Sequence, residues 1–212
     1  SSSAVGAVRL AVGDRPEAEL IARAAAALLA DEVVLLPAEG VYGFHALASS
    51  AAAVARIRAL KRDTRAGFIG LIARPEDLDR WAHASPEALE LARRHWPGAL
   101  TLVLEARPEA PPSLRSENGT IALRCPGSAL LRGVIQEAGE PVLSTSANRS
   151  GEPAAREADD APAGIAGLII DGGPLDGRPS TLVRVGPEGV QVLRQGAVQL
   201  GDGSLDGPRA GP

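Results

Sequence analysis

The side chains best suited to chemistry in this chain gather in one stretch, Pro141-Val-Leu-Ser-Thr-Ser-Ala-Asn-Arg-Ser-Gly151. An apolar start gives way to the hydroxyl and amide groups of Ser144, Thr145, Ser146, Asn148 and Ser150, and Gly151 and Pro153 close the run. A buried strand that ends in a polar, glycine-terminated turn presents donors and acceptors to a ligand. The same stretch also reads as a solvated turn with a helix cap. Other segments supply cations. Arg56, Arg58, Lys61, Arg62 and Arg65 cluster at the end of a predicted helix, where they either complement the helix dipole or clamp a polyphosphate. Arg124 is the one charged side chain of the apolar run Thr120-Ile-Ala-Leu-Arg124. A charge there needs a structural partner or a bound anion. Ser180-Thr181 and Arg194 complete the set, and no strong carboxylate pair accompanies it. Cations and hydroxyls without a nucleophile–base pair hold and orient charged substrates. Phosphoryl or nucleotidyl transfer can run on such positioning and charge stabilisation alone.

Competing chemistries lack their residues. The sequence has no Gly-x-x-x-x-Gly-Lys-Ser/Thr, no Gly-x-Gly-x-x-Gly after a strand, no His-Glu-x-x-His and no Gly-x-Ser-x-Gly. Three histidines and one cysteine argue against a dedicated metal cage. His45 reads as structural, His83 and His95 as surface or capping residues on predicted helices, and Cys125 as a small core residue.

The elements that must carry these groups follow from periodicity. A loose edge strand is expected within residues 4–12. A helix is expected over Asp14 to Ala30, capped by Asp14 with Pro16 in its first turn. Val33 to Leu36 reads as a buried strand that runs into the glycine-punctuated Pro37-Ala-Glu-Gly-Val-Tyr-Gly-Phe-His45. Helices are expected over Ala51 to Leu60, Pro75 to Trp81, Pro86 to His95 and Ala129 to Ala138, with a weak one over Glu157 to Ala166. Strands are expected at Phe68 to Ala73, Leu100 to Glu105, Thr120 to Arg124 and Leu168 to Asp171. Thr181 to Val185 and Val190 to Arg194 read as a hairpin. Strands and helices mix without strict alternation, which argues for one mixed α/β (α+β) domain around a twisted sheet, spanning residues 4–200. The Gly/Pro-rich tail 201–212 is expected to be mobile.

Composition sets the outer bounds. Of the 212 residues, 45% are hydrophobic and only 2% aromatic, so the core must be built from Ala, Val, Leu and Ile. A net charge of −4 and a pI near 5.5 give no bulk argument for nucleic-acid binding, although they are compatible with a local basic pocket. No apolar run approaches the ~18 residues of a membrane span, and no signal-peptide pattern is visible, so a cytoplasmic location is expected. The Ser1-Ser-Ser start, without Met, is set aside as a trimmed end.

Several segments together resemble the YrdC family, the L-threonylcarbamoyladenylate synthases of tRNA modification. They are Leu36-Pro-Ala-Glu-Gly-Val-Tyr-Gly43, Arg56-Ile-Arg-Ala-Leu-Lys-Arg62, Trp96-Pro-Gly-Ala-Leu-Thr-Leu-Val-Leu104, Thr120-Ile-Ala-Leu-Arg124, Ser144-Thr-Ser-Ala-Asn-Arg-Ser-Gly151, Asp171-Gly-Gly173 with Pro179-Ser-Thr181, and Val192-Leu-Arg-Gln-Gly196. They follow the family's order across roughly residues 8–200. The resemblance implies a twisted α/β sheet with a concave, positively charged face. It implies that threonine and bicarbonate form a carbamate, which attacks the α-phosphate of ATP and expels pyrophosphate. The threonylcarbamoyl-AMP then passes to a tRNA-modifying transferase. By matching position, Lys61, Arg62, Thr120, Ser146 and Arg194 would hold ATP. Arg124, Ser144 and Ser180 would hold threonine, and Mg²⁺ would travel with ATP. The length resembles the family's short, stand-alone form.

Three departures from the family pattern stand out. Ala38 and Gly40 replace the two threonines that usually flank the acidic residue before Val-Tyr-Gly. Lys61-Arg62-Asp63-Thr64 replaces Lys-x-Arg-Pro, one residue short. Counting from the helix makes Lys61 the family lysine, whereas counting back from Gly67 makes Arg62 the family arginine. The strand Phe68 to Ala73 lacks a following histidine, and Ala66 stands where a polar residue is common. These changes motivate two alternatives. One is a YrdC-like protein that binds nucleotide or RNA, including double-stranded RNA, without synthase activity. The other is a related carbamoyl adenylate enzyme using another amine.

Overall fold

Short runs of Val, Leu and Ile become strands here, and alanine-rich amphipathic stretches become the helices that lie on them. The computed structural model describes residues 6–62 and 68–200. Asp63, Arg65 and the tail 201–212 lie outside the described residues, and so do the expectations placed on them. The strands are β1 (Val8–Ala11), β2 (Val34–Pro37), β3 (Tyr42–Leu47), β4 (Ile69–Leu71), β5 (Ala82–His83), β6 (Leu100–Ala106), β7 (Thr120–Arg124), β8 (Val142–Ser146), β9 (Leu168–Asp171), β10 (Thr181–Gly186) and β11 (Gly189–Arg194). The helices are α1 (Glu17–Leu29), α2 (Ala51–Leu60), α3 (Leu78–Trp81), α4 (Pro86–His95) and α5 (Ala129–Ala138).

The strands join one mixed sheet in the order β1-β9-β2-β3-β8-β4-β7-β6-β10-β11, with β5 paired to β6. Parallel pairs such as β4–β7 and β6–β10 sit beside antiparallel ones such as β3–β8 and β6–β7. Because side chains alternate along a strand, each sheet face gathers its own core. One face carries Leu35, Phe44, Leu102, Leu104, Leu123 and Leu143 against Val54 and Ile57 of α2 and Leu91 of α4. The other carries Val34, Leu36, Leu47, Leu71, Val142 and Ile170 against Leu20, Ala24 and Leu28 of α1 and Leu131, Val134 and Ile135 of α5. Helices α1 and α5 pack closely: a Cβ on Gly133 would lie 2.4 Å from Ile21 Cδ1. Beyond them no helix of the described residues packs on the second face, and register places His45, Ser144, Ser146, Ala122 and Arg124 on it.

Sequence periodicity finds α2, α4 and α5 at their observed bounds, and the caps explain why. Ser50, Ser85 and Ser128 each accept the backbone N–H three residues on, and Gly139 ends α5 in the left-handed region at φ +79°. Four expectations are corrected. Asp14 does not cap α1, which starts after Pro16 with no side-chain cap bond. Pro75 to Trp81 divides into a 3₁₀ turn, Pro75–Asp77, and the four residues of α3. His83 therefore lies on strand β5 rather than a helix. Glu157 to Ala166 yields only the 3₁₀ turn Ala158–Asp160, since Pro162 and Gly164 interrupt anything longer.

Candidate active site

A cavity of about 280 Å³ opens over this helix-free part of the sheet. Its wall includes Ala38, Glu39, Gly43, Lys61, Phe68, Arg124, Ser144, Ser146, Ser180 and Arg194, drawn from segments remote in the chain. It contains three cations and, among the described residues, a single carboxylate, that of Glu39.

Arg124 ends β7 and is only 4% exposed. Its Nη1 donates to Thr101 Oγ1 and to Ser180 Oγ, each at 3.2 Å, and these two hydroxyls share a 2.8 Å hydrogen bond. Its Nε is buried without a hydrogen bond and lies 3.4 Å from Glu39 Oε1, an ion pair without hydrogen-bond alignment. Burial pulls the guanidinium pKa down, the Glu39 charge pulls it up, and Arg194 adds to the lowering. A guanidinium nonetheless stays charged. The two readings of Arg124 left open by the sequence thus both have content: Glu39 is a structural partner, and Nη2 is free of hydrogen bonds among the described residues.

Ser144 is oriented from below. Its Oγ lies 3.1 Å from His45 Nε2, and His45 Nδ1 lies 3.3 Å from the Val34 carbonyl. Full burial pushes His45 down to about 4, so the ring is neutral at physiological pH. A carbonyl can only accept, so Nδ1 carries the proton and Nε2 accepts from the Ser144 hydroxyl. The Ser144 oxygen keeps its lone pairs for a donor in the cavity. His45 orients Ser144 from within the core, in keeping with the structural role expected of it.

Lys61 closes α2 and reaches back over the end of β8. Its Nζ donates to Ser146 O at 2.7 Å and Asn148 Oδ1 at 3.0 Å, with Ser146 Oγ at 3.5 Å. None of these partners is charged, and burial lowers the Lys61 pKa to about 8. The Arg62 backbone N–H donates to Ser150 Oγ at 2.9 Å, which ties the helix end to the polar turn. The Arg62 side chain is exposed and does not line the cavity.

Ser180 is held in place by a strap over residues 172–180. The Tyr42 hydroxyl accepts from Gly172 N at 2.9 Å and donates to Gly173 O at 2.7 Å. Gly40 N donates to Arg178 O at 2.9 Å, and Gly177 N to Gly40 O at 2.8 Å. A Cβ on Gly40 would sit 2.1 Å from Arg178 O, so position 40 admits no side chain while the strap is seated. Arg194 grips the strap's end through Nε and Nη2 to Ser180 O, at 3.1 and 2.8 Å.

The structure therefore brings Lys61, Arg124, Ser144, Ser146, Ser180 and Arg194 to one cavity. Thr120 is not brought there. It shares the sheet face of Arg124 but lies four residues down β7, about 13 Å away by strand rise, and lines a neighbouring groove with Val103, Glu105 and Arg184. Its hydroxyl is engaged with Ser116 and Asn118. Glu39 is the residue missed by sequence reasoning, because nothing local connects it to Arg124. Among the described residues no group of three or more His, Cys, Asp or Glu could hold a metal ion.

Comparison with known proteins identifies relatives of this chain. The Sua5/YciO/YrdC family model, described as telomere recombination, matches residues 26–196. A threonylcarbamoyl-AMP synthase of Bacillus subtilis (strain 168) is 39% identical over 186 residues, covering 84% of this chain and 54% of that protein. The chain thus spans about half the length of that relative. A threonylcarbamoyl-AMP synthase of Chromohalobacter salexigens is 38% identical over 172 residues, covering 78% of this chain and 92% of that protein. The crystal structure of P. abyssi Sua5 complexed with L-threonine superposes with a TM-score of 0.81 at 32% identity, covering 90% of this chain and 57% of that one. With a matching family model over most of its length, relatives of this similarity and the same mixed sheet, the chain belongs to the Sua5/YciO/YrdC family.

Proposed function

We propose that this chain is an L-threonylcarbamoyladenylate synthase, a nucleotidyltransferase that makes threonylcarbamoyl-AMP from L-threonine, bicarbonate and ATP. The observation that carries the reading is Arg124, a buried guanidinium on the cavity wall whose Nη2 has no hydrogen bond among the described residues and which has two hydroxyls beside it. A fixed planar donor of this kind suits a carboxylate. Ser144 and Ser180 complete the threonine pocket. Lys61, which has no carboxylate partner among the described residues, together with Ser146 and Arg194, takes the phosphate chain. Arg62 and Thr120 stand outside this cavity, so their proposed part in holding ATP requires the nucleotide to extend past its rim, towards the groove that Thr120 lines.

The chemistry needs little from the protein beyond placement. The threonine amine adds to bicarbonate and water leaves, giving the carbamate. A carbamate oxygen then attacks the α-phosphorus, the bond to the bridging oxygen breaks, and pyrophosphate departs. Lys61 and Arg194 stabilise the charge that grows on the departing group. Mg²⁺, carried by the phosphates, supplies further neutralisation. Transfer of the product to a tRNA-modifying transferase, and contact with RNA, belong to the same proposal.

Incubation with ATP, threonine and bicarbonate tests it. Pyrophosphate release that requires all three supports the reading, and none with a competent transferase present rejects it. A panel of amino acids in the same assay assigns the related carbamoyl adenylate chemistry if another amine is preferred. Tight RNA binding with a steep salt dependence but no turnover assigns the binding-protein alternative.

A further inference from the structure

The cavity proposed to take several anions contains a carboxylate. Glu39 follows β2 on the turn that leads into β3, and its side chain is 14% exposed. Oε1 is committed: it accepts the Gly127 N–H at 3.1 Å and faces Arg124 Nε at 3.4 Å. Oε2 has no hydrogen bond among the described residues. Glu39 also stands in the same cavity wall as Ser144 and Ser180. A negative charge here works against phosphate, bicarbonate and a substrate carboxylate alike. A partner serving Arg124 alone need not line the cavity, and Glu39 does.

An α-amino acid carries its carboxylate and its ammonium on one carbon. Recognising both requires a cation and an anion side by side, and Arg124 with Glu39 is the one such pair lining this cavity among the described residues. We infer that Glu39 is a catalytic residue, which binds the α-ammonium of the amino-acid substrate through Oε2 and takes its proton. This rests on the proposed synthase reading. The ammonium is the form present at neutral pH and has no lone pair to react. Its N–H bond breaks, the proton goes to Glu39, and the nitrogen lone pair is freed. The amine then forms the C–N bond with bicarbonate, and the carbamate and one water result. Glu39 returns its proton to solvent after the adenylate leaves.

The test is Glu39→Gln, which keeps an acceptor for Gly127 N–H and the shape beside Arg124 while removing the charge. In pyrophosphate assays across pH 7–9, with ATP kept saturating at every pH, the wild type shows a nearly flat kcat/KM for threonine. The variant starts at least about 100-fold lower and climbs about tenfold per pH unit as solvent deprotonates the amine. Its KM for ATP stays within about twofold. Calorimetry with threonine and with 3-hydroxybutyrate, which lacks the amine, gives a second readout. The wild type prefers threonine, and the variant binds both alike. A variant with a parallel pH profile and unchanged preference for threonine overturns the assignment. So does equal loss at every pH, which is the mark of a displaced Arg124. A wild type that releases no pyrophosphate overturns the synthase reading itself, and the preference for threonine over its deaminated analogue then still decides whether Glu39 reads an ammonium.

Discussion

Two residues set the character of the cavity through opposite histories in the chain. Arg124 is announced by its own strand, because a lone charge at the end of Thr120-Ile-Ala-Leu must be answered. Its replacement by alanine removes charge-assisted hydrogen bonds worth about 1.5–3 kcal/mol, or roughly 10- to 150-fold. Titration of threonine at saturating ATP should show that increase in KM, whereas the ATP requirement stays within about twofold. Equal effects on both substrates would contradict the threonine assignment. Lys61 gives a pH signature. Burial lowers its pKa to about 8, below its value in the unfolded chain. The unfolded chain therefore holds more protons between the two values, and this group's contribution to stability rises with pH through that window. Phosphate binding needs the charged form, so ATP affinity falls as pH rises through about 8. The fall should be absent in Lys61→Arg, measured by ATP titration between pH 7 and 9.5.

At the scale of elements, the strap over residues 172–180 is what the local sequence conceals. Gly40 reads in sequence as a lost threonine hydroxyl. In the structure it is the place where two backbone segments meet, with Arg178 O 2.1 Å from where a Cβ would lie. Backbone cannot yield as a flexible side chain can. Gly40→Ala should cost about 1–3 kcal/mol, lowering Tm by about 3–10 °C, and should raise the threonine KM because Ser180 moves with the strap. A thermal melt paired with a threonine titration checks both, and an unchanged melt would show that the strap is not seated on Gly40. Strand β3 was hidden for a related reason. Tyr42–Leu47 is buried throughout and contains Gly43 and His45, so it lacks the alternation that marks a half-buried strand. Its place between β2 and β8 makes it a strand.

For the whole molecule, one sheet connects the cavity to both cores. Ligands that bind only the folded chain should therefore raise its melting temperature. At about 100 times its Kd a ligand adds about 2.7 kcal/mol, or about 5–10 °C for a domain of this size. ATP and threonine should each give such a shift. Arg124→Ala should lose the threonine increment and retain that of ATP, as read by differential scanning fluorimetry. Loss of both increments would mean that the two pockets are not separable.

The amino-acid sequence by itself determined the helices Ala51–Leu60, Pro86–His95 and Ala129–Ala138, most of the strands, and the mixed α/β class, because capping and periodicity act within a few residues. It also exposed Arg124, Lys61 and the Ser144–Ser150 turn as groups needing partners. Which groups became partners was decided only by the tertiary structure. Glu39 reaches Arg124, Lys61 reaches Ser146 and Asn148, and His45 reaches Ser144, each across a long separation in the chain. Thr120 shows the converse: it is close to Arg124 in sequence, yet an extended strand carries it out of the cavity. Local chemistry fixes what each segment can offer, but only the sheet order brings β2, β8, β7 and β10 to one cavity and makes those offers meet.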